Sequence, residues 1–132
     1  MKCKVKIKLN KDAINKLKHA SETALERTAH AVLSDIVSRG VVPFDTGALE
    51  SSGFVQKVNE MLYKIIFDTP YARRWYFNAP HPKTGNIAHF QKTKNPNAQD
   101  HWMDYYREGE GKQWVIDTYA KFLKEESGGL IK

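Results

Sequence analysis

Hydrophobic and polar residues alternate without a break over residues 2–9. Cys3, Val5, Ile7 and Leu9 fall on one side, and Lys2, Lys4, Lys6 and Lys8 on the other. A period of two is that of a half-buried strand. Asn10 punctuates the chain, and the period then lengthens. Ile14, Leu17, Ser21, Ala24, Leu25, Thr28, Val32, Ile36 and Val37 recur at steps of three and four, which predicts one long amphipathic helix over residues 11–39. Lys16, Glu22, Glu26, Arg27 and Asp35 form its opposite, polar face. Ala20, Ala24, Ala29 and Ala31 suit close packing of its middle on a sheet. Gly40 is placed to end the helix in the left-handed conformation.

Past Gly40 the pattern shortens. Pro43 keeps Val42 extended. Asp45 or Thr46 is expected to cap a short helix whose first turn holds Gly47 and Ala48. Residues 54–58 and 61–67 read as two strands of a hairpin turning at Asn59-Glu60, with Met61, Tyr63, Ile65 and Phe67 alternating against Leu62, Lys64 and Ile66. Pro70, after an Asp68 or Thr69 cap, predicts the first position of a helix carrying Tyr71 to Phe77. Asn78, Pro80 and Pro82 stop it. Residues 78–100 are poor in hydrophobes and form a long loop, with at most a short strand over residues 87–91; a loop of that length is usually functional or disordered. A short aromatic helix is expected over Asn97 to Tyr106, broken by Gly109 and Gly111. A final helix over residues 112–126 carries Val115, Thr118, Tyr119, Phe122 and Leu123 on one face and stops at Ser127-Gly128-Gly129. The expected architecture is a single α+β domain over residues 1–132: a basic strand, a long helix packed on a small antiparallel sheet, short helices and C-terminal helices.

Composition adds little to that fold but changes the functional reading. The 132 residues are 41% hydrophobic and 27% charged, an ordinary globular balance. No run is long enough for a membrane-spanning helix, and the first residues lack the continuous apolar stretch of a secretory signal. The single cysteine, Cys3, allows no internal disulfide and fits a reducing, cytoplasmic folding compartment. The net charge of +6 is local. Seven lysines and one acid fall in the first twenty residues, and the remainder holds 14 basic and 14 acidic groups. The lysine face has two readings, an electrostatic footprint for a polyanion and the solvated face of an edge strand that resists aggregation. No aromatics interleave with these lysines as stacking platforms would.

Candidates for catalysis are thin. His19, His30, His81, His89 and His101 contain no pair at helical metal-ligand spacing. His81, His89 and His101 would converge only if the 78–100 loop folded to bring them together; otherwise they are surface loop histidines. Gly109-Glu110-Gly111 lacks the preceding strand of a dinucleotide motif. No cofactor, metal or catalytic residue is expected. Two aromatic clusters stand out instead, Tyr71 to Phe77 with Arg73 and Arg74, and His101, Trp102, Tyr105 and Tyr106. Such side chains serve equally as binding hot spots and as anchors of a short helix on a sheet.

Three segments carry a family resemblance. Val42-Pro43-Phe44-Asp45-Thr46-Gly47-Ala48-Leu49-Glu50-Ser51-Ser52 resembles a P-x-D-T-G-x-L-x-x-S signature. Asp68-Thr69-Pro70-Tyr71-Ala72-Arg73-Arg74-Trp75-Tyr76-Phe77 resembles a D-T-P-Y-A-R-R-x-Y-F segment. Lys94-Asn95-Pro96-Asn97-Ala98-Gln99, followed by the Trp102 region, resembles an N-P-N-A-x-x-x-W segment. In this order they are similar to the minor capsid or tail-completion (head–tail joining) proteins of long-tailed phages and prophages of Gram-positive bacteria. The extended stretch from His81 to Asn86 departs from that pattern. The resemblance implies a virion structural protein of the neck, made in the host cytoplasm. It would act as a homo-oligomeric ring between a connector or head-closure ring and the tail tube or terminator, without catalysis, cofactor or membrane. It points to Asp45, Thr46, Gly47, Leu49, Tyr71, Arg73, Arg74, Trp75 and Trp102 as contacts with a neighbour. Gly47 would admit a close backbone, and Arg73 or Arg74 would grip a carboxylate. Lys2, Lys4, Lys6 and Lys8 would face DNA in the channel. The alternative is a small basic nucleic-acid-binding protein that uses those lysines directly.

Overall fold

A computed structural model describes residues 10–44, 47–78, 80, 83–86, 90, 92 and 94–131. The expected strand over residues 2–9, with Cys3 and its four lysines, lies outside them. So do Asp45, Thr46, His81, His89 and most of the stretch at 87–91.

The long helix forms as the pattern requires. Helix α1 spans Lys11–Ser38, and the Asn10 side chain accepts a hydrogen bond from the Ala13 amide at 3.1 Å, satisfying one of the otherwise orphaned first-turn donors. Gly40, at φ +62°, reverses the chain just past its end. The buried positions are Ala20, Ala24, Thr28, Val32 and Ile36, a ridge at steps of four. Thr28 is tolerated on that ridge because its hydroxyl donates to the Ala24 carbonyl at 2.7 Å. Val37, placed on the stripe by its spacing, is exposed, since one residue past Ile36 is a turn of about 100° off the ridge.

The hairpin pairs β1 (Gly53–Asn59) with β2 (Leu62–Phe67) in antiparallel register, Gly53 opposite Phe67 and Val55 opposite Ile65. The turn falls at Glu60-Met61, one residue later than the sequence pattern placed it. The Asn59 side chain closes it by accepting from the Met61 amide at 2.8 Å. Met61 therefore sits at the tip rather than in the second strand. Glu22 of α1 forms an ion pair with Lys57 of β1 and also accepts from the Tyr63 hydroxyl. That pairing lowers the Glu22 pKa and raises that of Lys57.

The last helix, α4, spans Gly109–Glu126 and packs along α1. Arg27 on the polar face of α1 bridges to Glu125 and Glu126, at 3.0 and 2.9 Å, with its guanidinium 4.0 Å above the Phe122 ring. Ser21 shares a 2.8 Å hydrogen bond with the Tyr119 hydroxyl. The face of α1 read as simply polar thus ties it to the hairpin through Glu22 and to α4 through Arg27.

Two expected helix boundaries move. α4 begins at Gly109, three residues before the predicted start, and Gly111 lies buried in its first turn. A Cβ at Gly111 would overlap the Tyr105 carbonyl oxygen and come within 2.6 Å of that residue's ring. This glycine permits a close approach and does not break a helix. The aromatic helix expected before it is only a 3-10 turn, Asp104–Tyr106.

The hydrophobic core gathers at the C-terminal end of α1. It comprises Val32, Ile36, Val41, Val42, Leu49, Ala72 and Trp102, with Phe67, Trp75, Tyr76, Tyr106 and Trp114 packed around them. Trp102, 1% exposed, is its largest fully buried side chain, with edge-on contacts to Phe67 and Tyr76 at 5.6 and 4.8 Å between ring centroids. Among the described residues, no helix is long and apolar enough to cross a membrane.

Candidate functional site

The three sequence segments that carry the resemblance meet in space around Trp102. Val42 and Leu49 come from the first, Ala72, Trp75 and Tyr76 from the second, and Trp102 closes the third. Main-chain and amide bonds lock them together. Asn95, itself buried, donates from its side chain to the Val42 carbonyl at 2.8 Å and to the Glu50 carboxylate at 3.2 Å. The Gln99 amide donates to the Val41 carbonyl at 2.9 Å, and the His101 amide to the Tyr76 carbonyl at 2.8 Å. The Asn97 side chain donates to the Arg39 carbonyl at 3.0 Å. The end of the long 78–100 loop is thus a strap across the core. The sequence signal for it was the pair of asparagines, whose side-chain amides carry donors that can satisfy backbone carbonyls.

The first segment positions a four-residue helix, α2 (Ala48–Ser51). Its N-cap is Gly47, at φ +86°, with no side-chain capping bond. Gly47 therefore precedes the helix rather than filling its first turn; Asp45 and Thr46 lie outside the described residues. A Cβ at Gly47 would come within 2.9 Å of the Phe44 ring, so glycine is required there by left-handed backbone and by Phe44, within the chain itself. Leu49 is buried in the core.

The second segment forms α3 (Ala72–Phe77). Its N-cap is Tyr71, and Pro70 lies in the turn before it rather than at its first helical position. The Ala72 amide bonds back to the Thr69 carbonyl at 3.0 Å, so a tight turn, not a side-chain cap, starts the helix. Asn78, at φ +46°, ends it. Ala72 points inward and Trp75 and Tyr76 are half-buried against the core. Tyr71, Arg73, Arg74 and Phe77 are exposed. The Arg74 guanidinium lies 5.5 Å from the Trp75 ring, and Trp75 meets Phe90 edge-on at 5.7 Å. Among the described residues, neither Arg73 nor Arg74 lies within ion-pair distance of a carboxylate.

The expected contact residues therefore divide. Leu49 and Trp102 build the core and are not available to a neighbour; Gly47 is buried too. Tyr71, Arg73 and Arg74 form an open surface, with Trp75 as its backing. Phe77 belongs to that surface, and the sequence reading gave it no separate role; it lies four residues after Arg73, hence on the same side of the helix.

Among the described residues, the two largest pKa shifts fall on tyrosines bonded to carboxylates. The Tyr76 hydroxyl donates to Asp104 at 2.7 Å, and burial together with that bond pushes its pKa up to about 12. The Tyr106 hydroxyl donates to Asp35 at 2.5 Å, and burial followed by that bond pushes it likewise to about 12. His101 sits beside Asp100 at 3.1 Å and against the Tyr76 and Phe77 rings. Among the described residues, no group of three His, Cys, Asp or Glu side chains is placed to hold a metal ion. A shallow depression of about 470 Å³ is lined by Arg39, Val41, Lys92, Pro96, Asn97, Ala98 and Gln99. Its described lining carries two cations and no carboxylate.

Compared with protein-family models, with curated proteins and with solved structures, the chain has no significant match in any of the three. Fold and surface together define an α+β domain with an aromatic core and an exposed arginine–aromatic helix.

Proposed function

We propose that this chain is a virion structural protein of the neck of a long-tailed phage or prophage. It completes the tail or joins head to tail by assembling as a ring with connector, head-closure, tail-tube or terminator proteins. Its work is adhesion, not catalysis. The observation that carries the reading is the α3 surface. Two arginines without a carboxylate partner among the described residues stand beside two exposed aromatics, on a helix anchored to the core through Ala72, Trp75 and Tyr76. Arginine and aromatic residues on a rigid support are the composition of protein–protein hot spots. Motif order supplies the identity of the assembly.

The test is genetic and visual. An early stop codon is placed in this reading frame in an inducible prophage, and the lysate is imaged by negative-stain electron microscopy. DNA-filled heads separated from finished tails would assign the protein to the head–tail joint. Leaking heads with normal tails would assign it to head closure, and absent or overlong tails to tail termination. Intact, infectious particles would overturn the proposal.

The local concentration of charge favours a second reading, in which Lys2, Lys4, Lys6 and Lys8 hold nucleic acid. It requires binding that weakens steeply with salt.

A further inference from the structure

We infer that the tip of the β1–β2 hairpin of one copy docks on the α3 surface of the next copy, giving a head-to-tail contact. This inference rests on the reading of the chain as a ring-forming protein and names the contact that would build the ring.

Both partners of the contact lie on the same chain. At the tip, Val58, Met61 and Leu62 are 47%, 88% and 45% exposed, and Glu60 lies between them without an ion pair among the described residues. On α3 and its N-cap, Tyr71 and Phe77 are 40% and 54% exposed beside Arg73 and Arg74. One surface is aliphatic with an acid that lies within electrostatic reach of Lys57, itself paired with Glu22; the other is aromatic with two cations. Methionine on aromatic rings and arginine on a carboxylate are both favourable pairings.

The two surfaces cannot satisfy each other within one molecule. The tip is at the Leu62 end of β2. Phe67, at the other end, packs on Trp102, which packs on Tyr76 of α3. The length of β2 therefore separates them, about 17 Å at ~3.4 Å per residue. Two different, complementary patches at opposite ends of one element make a heterologous contact, which propagates from copy to copy and closes as a ring when the rotation allows. Nucleic acid would engage only the α3 surface and leave the tip uncovered, since Val58, Met61 and Leu62 offer it neither a cation nor a stacking face.

Cross-linking tests the contact. In a Cys3→Ser background, Met61→Cys and Phe77→Cys proteins are mixed in equal amounts and oxidised. Tyr71→Cys serves as a second probe of the same surface. The expected result is a mixed disulfide in excess of either self-pair, and a ladder of oligomers when Met61→Cys and Phe77→Cys are on one chain. Arg73→Glu with Arg74→Glu should cut the mixed product by roughly tenfold, the equivalent of one lost charge contact, and Glu60→Arg on the partner should restore it. Self-pairs alone would overturn the contact. Rings seen by electron microscopy without the mixed disulfide would overturn the contact and leave the ring reading standing. The absence of both rings and the mixed disulfide would likewise overturn the contact, and the prophage stop codon would then judge the neck reading separately. Salt-sensitive binding of a DNA oligonucleotide, abolished by Arg73→Glu with Arg74→Glu, would reassign the surface and also overturn it.

Discussion

The Tyr106 hydroxyl donates to the Asp35 carboxylate at 2.5 Å, joining the last turn of α1 to the 3-10 turn that leads into α4. Arg39 completes the joint, its guanidinium 3.9 Å over the Tyr105 ring and 3.4 Å from the Tyr106 hydroxyl. A charge-accepting hydrogen bond of this kind contributes about 1.5–3 kcal/mol, and here it fixes where α4 departs from the core. Tyr106→Phe should destabilise the chain by an amount near the lower end of that range, read as a shift of the urea midpoint without a change in slope.

The same bond makes stability depend on alkaline pH. Tyr106 and Tyr76 both titrate near 12 in the folded chain, against an ordinary 10. A group whose folded pKa is raised contributes stability that is intact below its unfolded pKa. Between the two values the unfolded chain holds fewer protons, so stability falls as pH rises. The loss should therefore begin near pH 10 and run towards pH 12. The Tyr76→Phe/Tyr106→Phe double variant should start lower and fall less over that window. Equal slopes for the two proteins would show that these hydroxyls do not set the alkaline limit.

Gly111 and Gly109 give a contrast in one turn of helix. A side chain at Gly111 meets the Tyr105 backbone, whereas Gly109, at φ +63°, has open space around its missing Cβ. Gly111→Ala should cost about 3 kcal/mol, the upper end of overpacking, because backbone cannot move aside as a flexible side chain can. Gly109→Ala should cost only about 1 kcal/mol, the strain of a left-handed alanine. Thermal melts of the two variants check the order, and a milder Gly111→Ala would contradict the packing described.

Periodicity carried the long helix, the hairpin and the face of α4 because each has a hydrophobic pattern that matches its geometry over many residues. Asn10 and Gly40 marked the ends of α1 by their chemistry. The misjudged boundaries share a cause. Gly109 and Gly111 read as breakers, and Pro70 as a first helical residue, because local sequence does not reveal that Tyr105 or Thr69 supplies the backbone neighbour. Tertiary contact also decided which aromatics were functional candidates. Trp102 and Phe77 look alike in sequence; one is the centre of the core and the other faces water. The turn at Glu60-Met61, and with it the exposed tip, was hidden by a strand alternation that runs one residue too far.

The strap makes its own prediction. Asn95 is buried and bonds both Val42 and Glu50, holding the end of the loop to the chain that follows α1. Asn95→Ala leaves the Val42 carbonyl without that donor, at a cost of about 1–3 kcal/mol. Amide exchange should report it locally. The Gln99 amide, bonded to the Val41 carbonyl, should lose protection more than the amides of β1 and β2. Uniform loss across the chain would mean that the strap and the core open as one unit.

Core and surface roles separate most directly at Trp102 and Arg74, both read from the sequence as contacts with a neighbour. Trp102 fills the centre of the core against Phe67 and Tyr76. Trp102→Ala should cost about 3–5 kcal/mol, enough to unfold a domain of ordinary marginal stability. Arg74 is exposed and touches only the Trp75 ring among its described contacts. Arg74→Ala should shift the melting temperature little, since an exposed cation–π contact contributes about 0.5–1 kcal/mol. Assembly is where it should tell. Arg74→Ala protein that is folded by circular dichroism but fails to complement the prophage stop codon places the arginine on a working interface. Full complementation by that variant removes Arg74 from the contact, and loss of the fold instead would mean that its guanidinium supports the core through Trp75.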